Sequence, residues 1–138
     1  MVYIIDYSTF DDRQFICSGS YDKTVRVWDV DNNKQIRSFN KCSSHVFCVK
    51  FSSYHYHNIV KMSFVLHQVT KPFKLQIFNG HTNGVCGIEF SPFNGGRYLC
   101  SGSLDKTIRL WDVETSRSLH VFNGHENWVC CVDISPLQ

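Results

Sequence analysis

The sequence predicts an all-β chain assembled from repeated units of short antiparallel strands, and two observations carry that expectation. One long string occurs twice: Cys17-Ser18-Gly19-Ser20-Tyr21-Asp22-Lys23-Thr24-Val25-Arg26-Val27-Trp28-Asp29 and Cys100-Ser101-Gly102-Ser103-Leu104-Asp105-Lys106-Thr107-Ile108-Arg109-Leu110-Trp111-Asp112. A shorter one occurs four times, at residues 2–8 (VYIIDYS), 46–52 (VFCVKFS), 85–91 (VCGIEFS) and 129–135 (VCCVDIS). Each short copy is apolar at its first, fourth and sixth places and charged at its fifth. Internal repetition of this kind decides the architecture before any single segment is assigned.

Each half of the long string reads as strand, tight turn, strand. Ser-Gly-Ser closes the first strand, and an aspartate in the turn can accept backbone N–H bonds. The strand that follows, Thr24 to Trp28 or Thr107 to Trp111, is rich in β-branched and aromatic residues. In order, the first unit has strands at residues 2–8, near Gln14 to Ser20, at Thr24 to Asp29 and near Gln35 to Phe39, with a turn at Asp31-Asn32-Asn33. The later unit repeats the plan, with strands at residues 85–91, Tyr98 to Ser103, Thr107 to Asp112 and Ser118 to Phe122, and a turn at Glu114-Thr115-Ser116. Its middle strands are apolar with little alternation, as expected of sheets covered on both faces.

These residues resemble the WD40 family. Gly80-His81 and Gly124-His125 match its Gly-His, and Trp28-Asp29 and Trp111-Asp112 match its Trp-Asp. The resemblance implies a β-propeller whose blades are four-stranded antiparallel sheets. The expected fold is thus a partial propeller of about three blades plus the first strand of a fourth, since one repeat takes about 40–45 residues. The blades are expected at 1–40 (its start truncated), 41–79, 80–123 and 124–138. The first lacks the Gly-His that should precede it and the last stops after one strand, so the pattern is expected to continue beyond both ends. The resemblance also implies a polar network locking each blade, matched by His81, Ser101, Asp105 and Trp111, with Ser103 as the rival hydroxyl. Ser18, Asp22 and Trp28 are its counterparts in the first blade. These residues look like a catalytic triad, but such a network mainly fixes a unique core.

The second blade departs from the pattern. Lys41-Cys42 stands where Gly-His belongs, and from Tyr54 to Phe73 there is no Ser-Gly-Ser, turn aspartate or tryptophan; the pattern resumes at Lys74 to Phe78 as a fourth strand. Codons for Met62 to Phe73, read one base early with third bases free, permit Asn-Val-Ile-Cys-Ser-Ala-Ser-Ser-Asp-Lys-Thr-Ile. That is the repeat string in register. It predicts a segment translated out of frame, with roughly nine further residues lost before the frame returns, against the alternative of a divergent repeat.

Composition excludes some classes of function. The chain has 138 residues and a net charge of +2, which gives no basic footprint for nucleic acid or an acidic membrane. Val2 to Ile5 is too short for a signal-peptide core, and Asp6 interrupts it. Seven cysteines, with no Cys-x-x-Cys, fall at equivalent repeat places (Cys17 and Cys100, Cys86 and Cys130, Cys48 and Cys131). They are expected as small buried hydrophobes in a reducing, intracellular compartment, cytoplasmic or nuclear, and Cys130-Cys131 as core. His55 and His57 lack neighbouring acidic or paired thiol ligands and read as a solvated loop. Arg26 and Arg109 are expected to pack their stems with the heads in water. No nucleotide-binding or hydrolase motif is present. The expectation is therefore a non-enzymatic scaffold for protein–protein interaction with no cofactor or metal, or alternatively the product of a decayed gene. The resemblance places candidate contacts on the loop face, at Tyr21, Leu104, Thr82, Glu126, Trp128 and His45. Its partners would be other proteins, the remaining blades of a parent ring, or further copies of the chain.

Overall fold

The computed structural model describes residues 1–10, 12–40, 42, 45–51, 58–61 and 74–136. Among the described residues, eleven strands form three sheets. The first is a meander of β1 (Val2–Phe10), β2 (Arg13–Ser20), β3 (Val25–Asp29) and β4 (Lys34–Phe39), each antiparallel to the next. The second contains β5 (Val49–Phe51), β6 (Asn58–Lys61) and β7 (Lys74–Ile77). The third, another antiparallel meander, contains β8 (Val85–Phe90), β9 (Tyr98–Ser103), β10 (Ile108–Asp112) and β11 (Arg117–Phe122). The outer sheets match strand for strand, down to the register shifts at Val27/Trp28 and Leu110/Trp111. Among the described residues no helix is long and apolar enough to cross a membrane.

Turn chemistry explains the strand boundaries. Lys23 and Lys106 hold the left-handed conformation in the tight turns, as Asn33 and Ser116 do in the next ones. The turn aspartates make this conformation accessible: Asp22 accepts the Thr24 N–H at 3.0 Å and Asp105 accepts that of Thr107 at 3.0 Å. The aspartate of each Trp-Asp pair caps the following turn, Asp29 accepting from Asn32 N and Asp112 from Thr115 N, both at 3.0 Å.

The sheets pack face to face. Phe15, Cys17, Val25 and Val27 of the first sheet bury against Val46, Val49 and Ile77 of the second. Phe78 and Cys48 pack in turn against Val85, Ile88, Phe90, Leu99 and Trp111. The glycine of each Ser-Gly-Ser makes room at the junction. A Cβ on Gly19 would lie 2.7 Å from Val46, and one on Gly102 would lie 2.7 Å from Val129. The backbone joins in the same way at both places, Val46 N–H donating to Ser20 O (3.1 Å) and Val129 N–H to Ser103 O (3.0 Å).

Two features differ from expectation. Among the described residues the middle sheet has three strands, and β6 and β7 pair in parallel. In an up-and-down meander alternate strands run the same way, so strands from the second and fourth places that pair directly do so in parallel. Segment 129–135 seats its first residue as Val46 does, yet it forms no strand. No strand among the described residues pairs with it. For the same reason Cys130 and Cys131 are exposed rather than core, and Cys86 is half-buried, whereas Cys17, Cys42, Cys48 and Cys100 are buried. Of 54–73, where the repeat pattern fails, only residues 58–61 are described. His55, His57 and the stretch 62–73, expected from the sequence to be out of frame, lie outside the described residues.

Candidate functional site

Two constellations stand out, one buried and one at the surface. The buried one lies in the third sheet. Trp111 Nε1–H donates to Ser101 Oγ at 2.8 Å. Ser101 Oγ lies 2.7 Å from His81 Nε2, and His81 Nδ1 lies 2.8 Å from Asp105 Oδ2. Ser103 points elsewhere, its hydroxyl donating to Gly84 O at 2.9 Å and accepting the Asp105 N–H at 3.1 Å. Thr107 joins without having been expected, donating its hydroxyl to Asp105 Oδ1 at 2.6 Å. Its signal was the Asp-Lys-Thr of both long repeats.

The donor inventory fixes the protonation of this chain of bonds. An indole N–H only donates and a carboxylate only accepts. Ser101 therefore accepts from Trp111 and donates to an unprotonated Nε2, while Nδ1–H donates to Asp105. A protonated imidazole would leave the serine hydrogen without a partner. Burial is the main influence on His81 and pushes its pKa below the ordinary value, against the pull of Asp105. Burial would raise Asp105, but the Thr107 hydroxyl, His81 and the N–H groups of Thr82 and Thr107 outweigh it and hold the carboxyl well below the usual range. The serine is thus hydrogen-bonded at both ends inside a packed sheet, with Trp111 wholly buried against Phe78 at 5.6 Å between ring centroids. The His81 and Asp105 side chains are 4% and 6% exposed.

In the first sheet the equivalent residues are less tightly joined. Trp28 Nε1–H reaches Ser18 Oγ at 3.3 Å, and Trp28 is only half-buried, with no further sheet over it among the described residues. Asp22 accepts from Arg26 at 3.3 Å where Asp105 meets a histidine. The arginine heads are therefore not simply solvated: Arg26 pairs with Asp22, and Arg109 lies 5.9 Å over the Trp111 ring with a buried Nε.

The surface constellation lies at the loop end of the first two sheets. Tyr21 stacks on His45 with centroids 3.8 Å apart and planes 11° apart, and His45 Nδ1 meets Tyr21 O at 2.8 Å. Tyr3 bridges to Tyr21 at 6.3 Å and to Phe47 at 4.8 Å. Phe47 and Leu104 both border Gly84, so the row continues to the third sheet. Thr82 is exposed and turns its N–H to Asp105 at 3.0 Å. Glu126 and Trp128 are exposed farther along the same end, beyond the join at Val129, with Trp128 at 64%. Tyr3 and Phe47 are additions to the sequence reading; their signal was the second place of the short repeat, aromatic in these two copies and cysteine in the others.

Among the described residues no group of three or more His, Cys, Asp or Glu side chains is arranged to hold a metal ion. Comparison with known proteins agrees with the fold. The chain is 32% identical over 123 residues to pre-mRNA-processing factor 17 of Saccharomyces cerevisiae, covering 84% of this chain and 27% of that protein. It is 28% identical over 122 residues to WD repeat-containing protein 18 of Danio rerio, covering 75% of this chain and 27% of the other. The chain thus spans about a quarter of the length of these curated relatives. Among solved structures, a chain of the mitotic checkpoint complex superposes with a TM-score of 0.72 at 22% identity, covering 96% of this chain and 40% of that one. The family model described as "WD domain, G-beta repeat" matches residues 5–29, 73–112 and 116–137, well over half of the sequence. Repeated sheets, shared junctions and this match together show that the chain belongs to the WD40 repeat family.

Proposed function

We propose that the chain is a non-enzymatic, intracellular scaffold that binds a partner protein through the loop end of its sheets, as part of a larger ring. The observation that carries this reading is the aromatic row of Tyr3, Tyr21, His45 and Phe47, continued by Leu104, with Thr82, Glu126 and Trp128 as its polar and aromatic flank. Aromatic residues held by stacking give large contact area at low entropic cost, which suits anchors of an interface. The pre-mRNA-processing factor named above is a sequence relative of this chain, and its partners are not carried over. Proximity labelling in cells, comparing the wild type with Tyr21→Ala/His45→Ala, tests the reading. A partner's recovery should fall by ~30-fold, the equivalent of about 2 kcal/mol for a lost anchor. Identical labelling by both chains overturns it.

The parallel pairing of β6 with β7 favours a second reading, that the chain is the product of a decayed or misread gene whose middle blade has lost a strand. Sequencing the transcript across codons 62–73 tests the misread form of this reading: an in-frame read of MSFVLHQVTKPF ends the idea of a sequence error.

A further inference from the structure

The thiols of the inner strands carry an inference that the scaffold reading does not use. A cleft of about 250 Å³ opens between the inner strands, and Cys48, Cys86, Cys130 and Cys131 all line it. They differ in access. Cys48 is buried, with burial the chief cause pushing its thiol up to about 12, whereas Cys86 is half-buried and Cys130 and Cys131 are exposed. The last three sit where β8 meets the trailing segment 129–135. The two backbones touch there: a Cβ on Gly87 would lie 2.9 Å from Cys130 O and 3.2 Å from Cys131 Cα. Cys86 and Cys130 hold the same place in their repeats. Cys86 also feels both neighbouring thiols, which add to burial in raising its own. Successive side chains of an extended segment point to opposite sides, so Cys130 and Cys131 cannot both face Cys86. Backbones in contact also suit the short Cα span of a disulfide.

We propose that Cys86 and Cys130 form a reversible disulfide that staples the trailing segment to β8, with a hydroperoxide as oxidant. The exposed Cys130 thiolate attacks the peroxide O–O bond, giving a sulfenic acid and releasing water or an alcohol. The Cys86 sulfur then attacks the Cys130 sulfur and loses its proton. The S–S bond forms, the S–O bond breaks and a second water leaves; the two thiols have given two electrons to the peroxide. A small-molecule thiol reverses the step by exchange, itself becoming a disulfide. Reversible pairs of this kind are the use to which a reducing compartment puts disulfides. Closure would anchor a segment that holds to the third sheet through the backbone bond at Val129 and the contacts beside Gly87 and Gly102.

The test uses the 138-residue chain, reduced and held at a dilution where sedimentation shows monomer, exposed to hydrogen peroxide, blocked with N-ethylmaleimide and digested with trypsin. Cleavage after Lys74, Arg97 and Arg117 puts Cys86 in peptide 75–97 and Cys130 and Cys131 in peptide 118–138. Mass spectrometry should find these two peptides linked, the link reversed by dithiothreitol, lost in Cys86→Ser and Cys130→Ser, and kept in Cys131→Ser. The proposal fails if the product is a vicinal Cys130–Cys131 bond or if peptide 75–97 stays free. It also fails if the link survives Cys130→Ser, forms equally in guanidinium, or joins heavy to light peptides in a mixture of isotopically labelled and unlabelled chains.

Discussion

Trp111 makes one polar contact, and that contact depends on the state of a residue twenty positions from its serine partner. The indole N–H needs Ser101 Oγ, Ser101 needs an unprotonated His81, and His81 needs an ionised Asp105. Trp111→Phe removes the first donor, and Asp105→Asn replaces an acceptor of four bonds with a group that also donates. Each should destabilise the third sheet by about 1–3 kcal/mol, because a buried group loses its partner. Amide exchange at Leu99 to Ser103 measures it, and parental protection in both variants would show that the network holds nothing. The pH dependence has a definite sign. His81 binds its proton less readily folded than unfolded, where its value is near 6.5, so the unfolded chain takes up more protons below that pH. Stability from His81 is present above about pH 6.5 and declines as the pH falls below it. Asp105, with its folded value depressed, contributes stability above its unfolded value of 3.8 and loses it at lower pH. Protection factors at Leu99 to Ser103, taken relative to the intrinsic exchange rate at each pH, should therefore fall in two stages on acidification, and the first fall should vanish in His81→Gln.

Repetition makes the elements legible, and where repetition fails the sequence says little. The eight strands of the outer sheets follow from two copies of one string and its flanking turns. The choice between Ser101 and Ser103 does not, because residues two apart on a strand share a face. Depth along the strand decides it: Trp111 pairs opposite Leu99 and its ring reaches back to Ser101, while Ser103 lies at the turn. The shortened middle repeat is legible as a spacing of 39 residues from Phe39 to Phe78 against 44 from Phe78 to Phe122. The parallel pairing that results is not, because it is a property of what remains. A middle segment rebuilt on the plan of Tyr98 to Ser116 should insert a strand between β6 and β7. The close Ile59–Leu75 approach should then disappear from nuclear Overhauser spectra, and its persistence would show that the parallel pair is intrinsic to these strands. The junction glycines offer a second check. Gly19→Ala and Gly102→Ala present the same clash to a valine, yet Val46 belongs to the core between the first two sheets while Val129 belongs to the trailing segment. Thermal melting should be lowered more by Gly19→Ala, and equal effects would mean that segment 129–135 is as firmly packed as β5.

At the scale of the whole molecule, the same packing rule that joins three sheets leaves two of them open. Each sheet buries apolar residues on the face it shares with a neighbour, and the ends of the stack have no neighbour among the described residues. On the first sheet Ile4 faces the cores, so alternation turns Ile5 and Tyr7 outward, and they are 63% and 52% exposed. On the third, all six residues of β11 are exposed, Leu119, Val121 and Phe122 among them. A closed ring covers such faces and leaves only short protected edges. In stacked repeats each unit depends on its neighbours, so the middle sheet, whose described strands depart from the plan of the other two, is where the array is weakest. An open edge with an apolar face is a template for another chain. We therefore expect the isolated 138-residue chain to self-associate or to fold only in part in dilute reducing buffer. Sedimentation should show species heavier than a monomer or a broad distribution, and calorimetry a weak or multiphasic transition. Charge on the exposed face, introduced as Ile5→Lys and Val121→Lys, should shift the distribution toward monomer if these faces are the contacts. A monomeric wild-type chain with one sharp cooperative transition would mean that three sheets and a trailing segment suffice to close a core, and that the open faces carry no free energy of association.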